Sequence, residues 1–413
     1  MTFSLSKLKL LWLLIATQAI LIPFLFGVDV PYRDEWDSII RALIMREADG
    51  FQWKQLFLPV VEHRLPLPMA AFNVLSLPRY YPKLLMLITA GVHCIGWYYF
   101  MRSWSRLGSF KPWALILSFA FYFHYAQITN YTMGVQLFWM LGPVGTIVFI
   151  TGLIESRLTM ITLGHLIGTF SFPVWPIHFA LFLAWLVLQA REKRFPSSRL
   201  ISLSSALLMT TGIISLGFLY QSAGPGLNTQ VLRLLQFAVY VIASPISRYK
   251  ETLAMVVGPC FILLWIYGAW SKPRFVSQTA YFLYGILGFV SALLIAYGRH
   301  LYDLSYAFGG HYLLLTAPAW CLTSYELISR IAKPRFAFTL ASTLTLYVFV
   351  IGIRGAAKEL RGKIPMQTIA RECLIHAKEL DPHCKDAMEF IFLNGFNEKY
   401  ELVRKARILG IYP

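Results

Sequence analysis

Residues 8–37 read LKLLWLLIATQAILIPFLFGVDVPYRDEWD, and this stretch decides the fold. From Leu8 to Gly27 the only polar side chains are Lys9, Thr17 and Gln18. About 20 apolar residues are what a helix needs to cross the hydrocarbon core of a bilayer. No small-residue cleavage site precedes Phe24-Leu25-Phe26, so the run reads as a retained span and not a removable leader. Then the chain changes character. Val30-Pro31-Tyr32-Arg33-Asp34-Glu35-Trp36-Asp37 is dense in charge, and seven of the 20 acidic residues (Asp29, Asp34, Glu35, Asp37, Glu47, Asp49, Glu62) fall between residues 28 and 82.

Working outward, composition extends the membrane reading to the whole chain. The protein is 57% hydrophobic and 14% charged, with a mean hydropathy of +0.58. Soluble domains carry about 25% charge. Apolar runs recur at 8–27, 83–101, 112–128, 133–152, 158–170, 176–190, 200–220, 253–270, 277–297, 312–330 and 336–353. The expected fold is all-α, a polytopic transmembrane bundle of about 11 spans.

The net charge of +17 points to a membrane surface and not to nucleic acid, because the basic residues sit in short loops between spans. Lys7 and Lys9, then Arg102, Arg106 and Lys111, then Arg157, then Arg191, Lys193, Arg194 and Arg199, then Lys272 and Arg274, then Arg330, Lys333 and Arg335 all fall on one side if the N-terminus is cytoplasmic. Loops 28–82, 221–252 and 298–311 and the tail 354–413 then share the other side. The expected division is a membrane domain over 1–353 and an outer helical module over 354–413.

Local patterns fill in the outer side. Asp34 to Met45 reads as a helix with Ile39, Ile40, Leu43 and Ile44 on one face, and Asp34 and Asp37 share a face three residues apart. Phe51 to Val61 is amphipathic and suits a helix lying in the headgroup layer, as does Leu67 to Leu77. Ser171-Phe172-Pro173-Val174-Trp175-Pro176 cannot continue a regular helix. Such a break at membrane depth either lines a cavity or is an ordinary kink. Of five cysteines, Cys94, Cys260 and Cys321 lie in spans, while Cys373 and Cys384 lie in the tail, where an oxidising compartment would let them pair.

Three groups carry chemistry. The first is Asp34, Glu35 and Asp37, which offer a general base or a metal ligand; acidic residues at a helix start also simply complement its dipole. The second is Glu62-His63-Arg64, an acceptor, an imidazole and a fixed cation in one turn, with no second histidine at zinc spacing. It reads as a binding group or as an interfacial salt-bridge cluster. The third is Gly298-Arg299-His300-Leu301-Tyr302-Asp303 with His311, and beside it Arg248. Arginine's planar fork matches phosphate oxygens, and the same residues serve as snorkelling anchors. The span interiors carry almost no carboxylate, which argues against proton-driven transport. No nucleotide-binding fingerprint appears.

The order of these features resembles the C-type (GT-C) integral-membrane glycosyltransferases. Pro31-Tyr32-Arg33-Asp34-Glu35-Trp36-Asp37, Glu62-His63-Arg64, Asn130-Tyr131-Thr132-Met133-Gly134-Val135-Gln136 and Phe392-Leu393-Asn394 resemble uncharacterised bacterial multi-pass proteins related to that superfamily. The resemblance implies a GT-C-like bundle in a bacterial inner membrane. The implied activity moves a sugar from a polyprenyl-phosphate donor to a glycan or lipid acceptor on the outer face. Asp34 maps best to the superfamily's catalytic aspartate, with Glu35 and Asp37 beside it. Glu62, His63, Arg64, Arg248, Arg299, His300, Tyr302 and His311 are the expected substrate-binding residues. Some members hold a divalent metal ion through a second outer acidic group; here only Asp303 stands near such a position, and the cofactor is left open. A lipid-linked glycan transporter and a noncatalytic envelope-assembly protein are the alternatives.

Overall fold

The computed structural model describes residues 17–57, 59–60, 63–77, 79–105, 111–193, 196–215, 230–248, 250–273, 277–299, 302–331, 333–376, 382–392 and 396–412. The described chain is helical apart from one two-stranded ladder. Helix α1 covers Thr17–Phe26. The loop after it holds a π-turn at Trp36–Ile40, α2 (Arg41–Asp49), strands β1 (Pro59–Val60) and β2 (His63–Arg64), and α3 (Pro66–Leu75). The bundle continues with α4 (Pro82–Ser105), α5 (Pro112–Tyr122), α6 (Ile128–Tyr131), α7 (Leu137–Glu155), α8 (Leu158–Ser171), α9 (Trp175–Arg191) and α10 (Ser198–Ile214). Then come α11 (Val231–Ser247), α12 (Glu251–Trp270), α13 (Gln278–Arg299), α14 (Leu313–Ile331), α15 (Pro334–His376), α16 (Pro382–Phe392) and α17 (Phe396–Ile408).

Five helices are long and apolar enough to cross a membrane: those over Pro82–Trp104, Gly134–Glu155, Glu251–Trp270, Gln278–Arg299 and Arg335–His376. Shorter apolar helices, such as Leu158–Ser171 and Ser198–Ile214, pack beside them. The close packing follows from small residues. A Cβ on Gly145 or Gly164 would run into the backbone of the facing helix, so α7 and α8 touch main chain to main chain. Deeper in, His165 of α8 and His178 of α9 meet nitrogen to nitrogen at 2.8 Å. Thr146 of α7 holds His178 at 2.9 Å, and Thr211 of α10 holds His165 at 2.5 Å. The two histidines thus form one hydrogen-bonded chain that cross-links four helices.

Helix ends gather at two poles. At one, Arg102 forks onto Glu155 at 2.8 Å, Trp113 stacks on Tyr325 at 4.5 Å, and Arg330 donates to the Lys272 carbonyl. At the other, the Lys83 amide donates to Asp29 at 3.0 Å, the Tyr80 amide to the Ile411 carbonyl at 2.9 Å, and the Thr129 hydroxyl to Glu359.

Several sequence expectations change. Phe51–Val61 is no interfacial helix: a short 3-10 turn at Trp53–Phe57 gives way to β1, because Pro59 ends any helical run and its segment pairs with β2 (Val60 opposite His63). The Asp34–Met45 helix begins as the π-turn and extends as α2 to Asp49. The loop expected over 221–252 contains α11. Both of its ends are tied to one short segment: Arg233 donates to the Tyr302 carbonyl at 3.2 Å, and Arg248 donates to that of Phe308. The domain boundary at 353–354 falls inside α15, a single helix of 43 residues.

Candidate functional site

The acidic motif is built by three separated parts of the chain. Pro31 ends the approach from α1, and Arg33 takes a left-handed backbone at φ 52°, uncommon for a side-chain-bearing residue. Its amide is caught by the Ile391 carbonyl of α16 at 2.6 Å. Phe390 lies 5.5 Å from Tyr32, and Trp36 sits edge-on between Phe392 at 5.2 Å and Tyr412 at 6.2 Å. Helix α16 and Tyr412 therefore dock directly on this motif. The Cys373–Cys384 disulfide joins α15 to α16 and fixes where α16 begins.

The three carboxylates have three different environments. Glu35 is fully buried. One oxygen accepts from the Tyr80 hydroxyl at 2.8 Å and the Tyr32 amide at 3.4 Å, the other from the Val135 amide at 3.0 Å. Burial outweighs those donors and pushes its carboxyl up to about 7. Asp37 is half-exposed, with Lys399 of α17 in contact and Arg41 at 3.8 Å. Asp34 is half-buried, and its carboxylate has no hydrogen-bond donor among the described residues. Partial burial raises it above the usual carboxylate range, while the charges of Arg33, Arg299 and Lys399 pull it back. Of the three, Asp34 alone is both accessible and uncommitted.

The structure brings Arg299 to this site from the end of α13, its guanidinium 5.1 Å over the Tyr302 ring. His311 follows on the turn before α14, against Trp139 at 4.6 Å. Burial, with the Arg299 and Arg248 charges, holds it neutral, pushed down to about 3. Trp139 also packs on Phe172 at 4.4 Å, so the proline-broken segment between α8 and α9 helps wall the same region. Arg248 is placed differently. It is buried, donating to the carbonyls of Phe308 and Ala126 and to Glu359 of α15 at 3.1 Å. Its two terminal nitrogens are held by the protein, unlike the open setting expected of a phosphate-gripping arginine. Arg64 lies on β2, and the ladder packs beside the π-turn. His63 pairs through its backbone with Val60; Glu62 and His300 lie outside the described residues.

Two cations escaped the sequence reading. Lys363 of α15 is buried over the Tyr32 ring at 4.9 Å, and its ammonium donates to the Thr132 hydroxyl at 2.9 Å. Lys399 is the second. The signal for the first was present: Glu359 and Lys363 stand four apart on one helical face, beyond the last apolar turn of α15. The structure also gives Asn130–Gln136 a role, since Val135 holds Glu35 and Thr132 holds Lys363. Asp303 caps the 3-10 turn Leu304–Phe308 through the Ser305 amide at 2.8 Å. Among the described residues no three His, Cys, Asp or Glu side chains converge as a metal site. Comparison with known proteins found no matching family model, no matching curated protein and no matching solved structure.

Proposed function

We propose that this chain is a multi-pass membrane glycosyltransferase of GT-C type, using a polyprenyl-phosphate-linked sugar at the extracytoplasmic face of a bacterial inner membrane. The observation that carries the reading is the setting of Asp34: a half-buried carboxylate with no hydrogen-bond donor among the described residues, lying in the combined field of Arg33, Arg299 and Lys399. A general base needs an accessible lone pair, and a departing phosphate needs a fixed cation nearby.

On this reading the acceptor hydroxyl gives its proton to Asp34. The acceptor oxygen bonds to the sugar's anomeric carbon as the bond from that carbon to the phosphate oxygen breaks. The electron pair leaves with the polyprenyl phosphate, and Arg299 holds the charge that develops. His311 and Trp139 form the wall against which the sugar lies. Eleven passes run between the poles: α1, α4, α5, α7, α8, α9, α10, α12, α13, α14 and α15. With the N-terminus cytoplasmic, α11 lies along the outer surface and preserves the alternation of basic loops. The acceptor is an envelope glycan or lipid.

A cryo-EM map with polyprenyl phosphate tests the proposal. Headgroup density between Asp34 and Arg299 is the expected result. Headgroup density bound elsewhere, with this site empty, refutes it.

A further inference from the structure

The opposite pole carries a site that the transferase reading does not use. The end of α9, the end of α12 and the first turns of α13 enclose a groove of about 440 Å3, lined by Arg191, Trp265, Ile266, Ala269, Trp270 and Phe282. Its size falls within the range of small-ligand sites. The walls are apolar and aromatic. Trp265 is fixed in place, its indole N–H donating to the Tyr281 carbonyl at 3.4 Å and its ring 5.8 Å from Phe282. Trp270 stands at the rim, 84% exposed.

The lining contains one charge. Arg191 ends α9 in an exposed position, with no hydrogen bond or ion pair among the described residues. The neighbouring Arg330 is already committed to Glu326 at 2.8 Å and to the Lys272 carbonyl. Lys193 and Lys272 flank the groove in sequence, against the single carboxylate of Glu192. An anion entering here meets an arginine fork that no other described residue holds. Below the fork the surface is mostly apolar, and α12 continues it with exposed Leu263, Val256 and Met255. Tryptophans at such a height mark the headgroup boundary.

We propose that this groove binds an anionic phospholipid of the leaflet at the basic pole. Its phosphate sits on the Arg191 guanidinium and its acyl chains lie against Trp265, Ile266 and Phe282. A free phosphate would gain the arginine but leave the apolar walls uncovered. A zwitterionic lipid would cover the walls but bring its own cation to the arginine.

The indoles at the groove report on their neighbours, because bromine on an acyl chain quenches tryptophan fluorescence on contact. The full-length protein is reconstituted in phosphatidylcholine vesicles. One-tenth of the lipid is replaced by brominated phosphatidylglycerol or, in parallel, by brominated phosphatidylcholine. Brominated phosphatidylglycerol should reach the groove about fivefold more effectively, the size of one arginine–anionic-lipid interaction. The excess should disappear in Arg191→Gln, persist in part in Arg191→Lys, and disappear in the Trp265→Phe/Trp270→Phe double variant. Unlabelled phosphatidylglycerol should compete, and inorganic phosphate should not. Equal quenching by the two brominated lipids in the unaltered protein overturns the proposal. So does an excess that survives Arg191→Gln, and relief by inorganic phosphate would make the site one for free anions. Arg191 is exposed, so its replacement leaves the packing of α9 intact. None of these outcomes depends on the transferase reading.

Discussion

At the residue scale, the acidic motif separates by environment what sequence presents as equivalent. Asp34→Asn keeps shape and removes the base. Glycan transfer should fall by at least about a hundredfold, with the protein still inserted and folded; full activity would remove Asp34 from the mechanism. Because partial burial raises Asp34 and its cations lower it, activity should fall on its acid side above the usual carboxylate range. Arg299→Gln should move that limb to still higher pH. Glu35 behaves differently. Its carboxyl is raised from 4.5 to about 7 in the folded state, so the protonated form favours folding. Its contribution is fully present below the unfolded value, declines as pH rises and is gone above about 7. The shift corresponds to at most about 3 kcal/mol. Thermal unfolding in detergent should show the advantage of wild type over Glu35→Gln shrinking between pH 4.5 and 7; a constant gap would contradict a raised carboxyl. Arg248→Ala should cost about 3–5 kcal/mol, because it strips the partner from Glu359 and from two carbonyls. The loss should register in folding before it registers in lipid binding. Spacing put Asp34, Glu35 and Asp37 together; the division of labour among them depends on Tyr80, Val135 and Lys399, which lie far off in sequence.

At the element scale, long periodic helices were legible because their apolar content alone decides them. The elements that differed are those where tertiary contacts override local pattern. Phe51–Val61 carries an amphipathic pattern, but Pro59 and pairing with β2 turn it into a strand. The segment Val231–Ser247 is apolar enough for a helix, yet the charges around it, Arg233 and Arg248, read as loop residues until their carbonyl partners are seen. Lys363 and Lys399 could not be assigned to the site without knowing that the tail folds back. The Cys373–Cys384 link was one open possibility in the sequence and is present in the structure. Closing a loop between cysteines 11 apart is worth about 2–3 kcal/mol in the chain-entropy account. Replacing both with serine should therefore raise hydrogen exchange in 382–392 and around Arg33, whose amide α16 holds, while α4 and α7 stay protected. Unchanged exchange around Arg33 would show that α16 holds its place by packing alone.

At the scale of the whole molecule, the grouping of helix ends into two poles makes sidedness a single testable property. In a background with Cys260 replaced by serine, cysteines placed at exposed Asp49, Ser305 and Glu401 should react with a membrane-impermeant thiol reagent in intact spheroplasts. Cysteines at exposed Ser197 and Ser271 should react only after the membrane is opened. Labelling of Glu401 together with Ser197 would place the tail in the cytoplasm and change the number of passes.

The docking of residues 411–412 onto residues 29–80 also sets a timetable. The Tyr412 hydroxyl donates to the Asp29 carbonyl at 2.7 Å across a separation of 383 residues. At about 5–20 residues per second, a ribosome adds that much chain in roughly 20–80 s. Throughout that interval the acidic motif is already made, while the part of the chain that holds Arg33 and encloses Trp36 is not. The contacts around Arg33 and Trp36 thus form only late in synthesis. A chain ending before Ile411 should keep the Arg33–Ile391 bond yet lose the Tyr412 cover of Trp36, which should show as raised hydrogen exchange around residues 29–36 and at Tyr80 while the rest of the bundle stays protected.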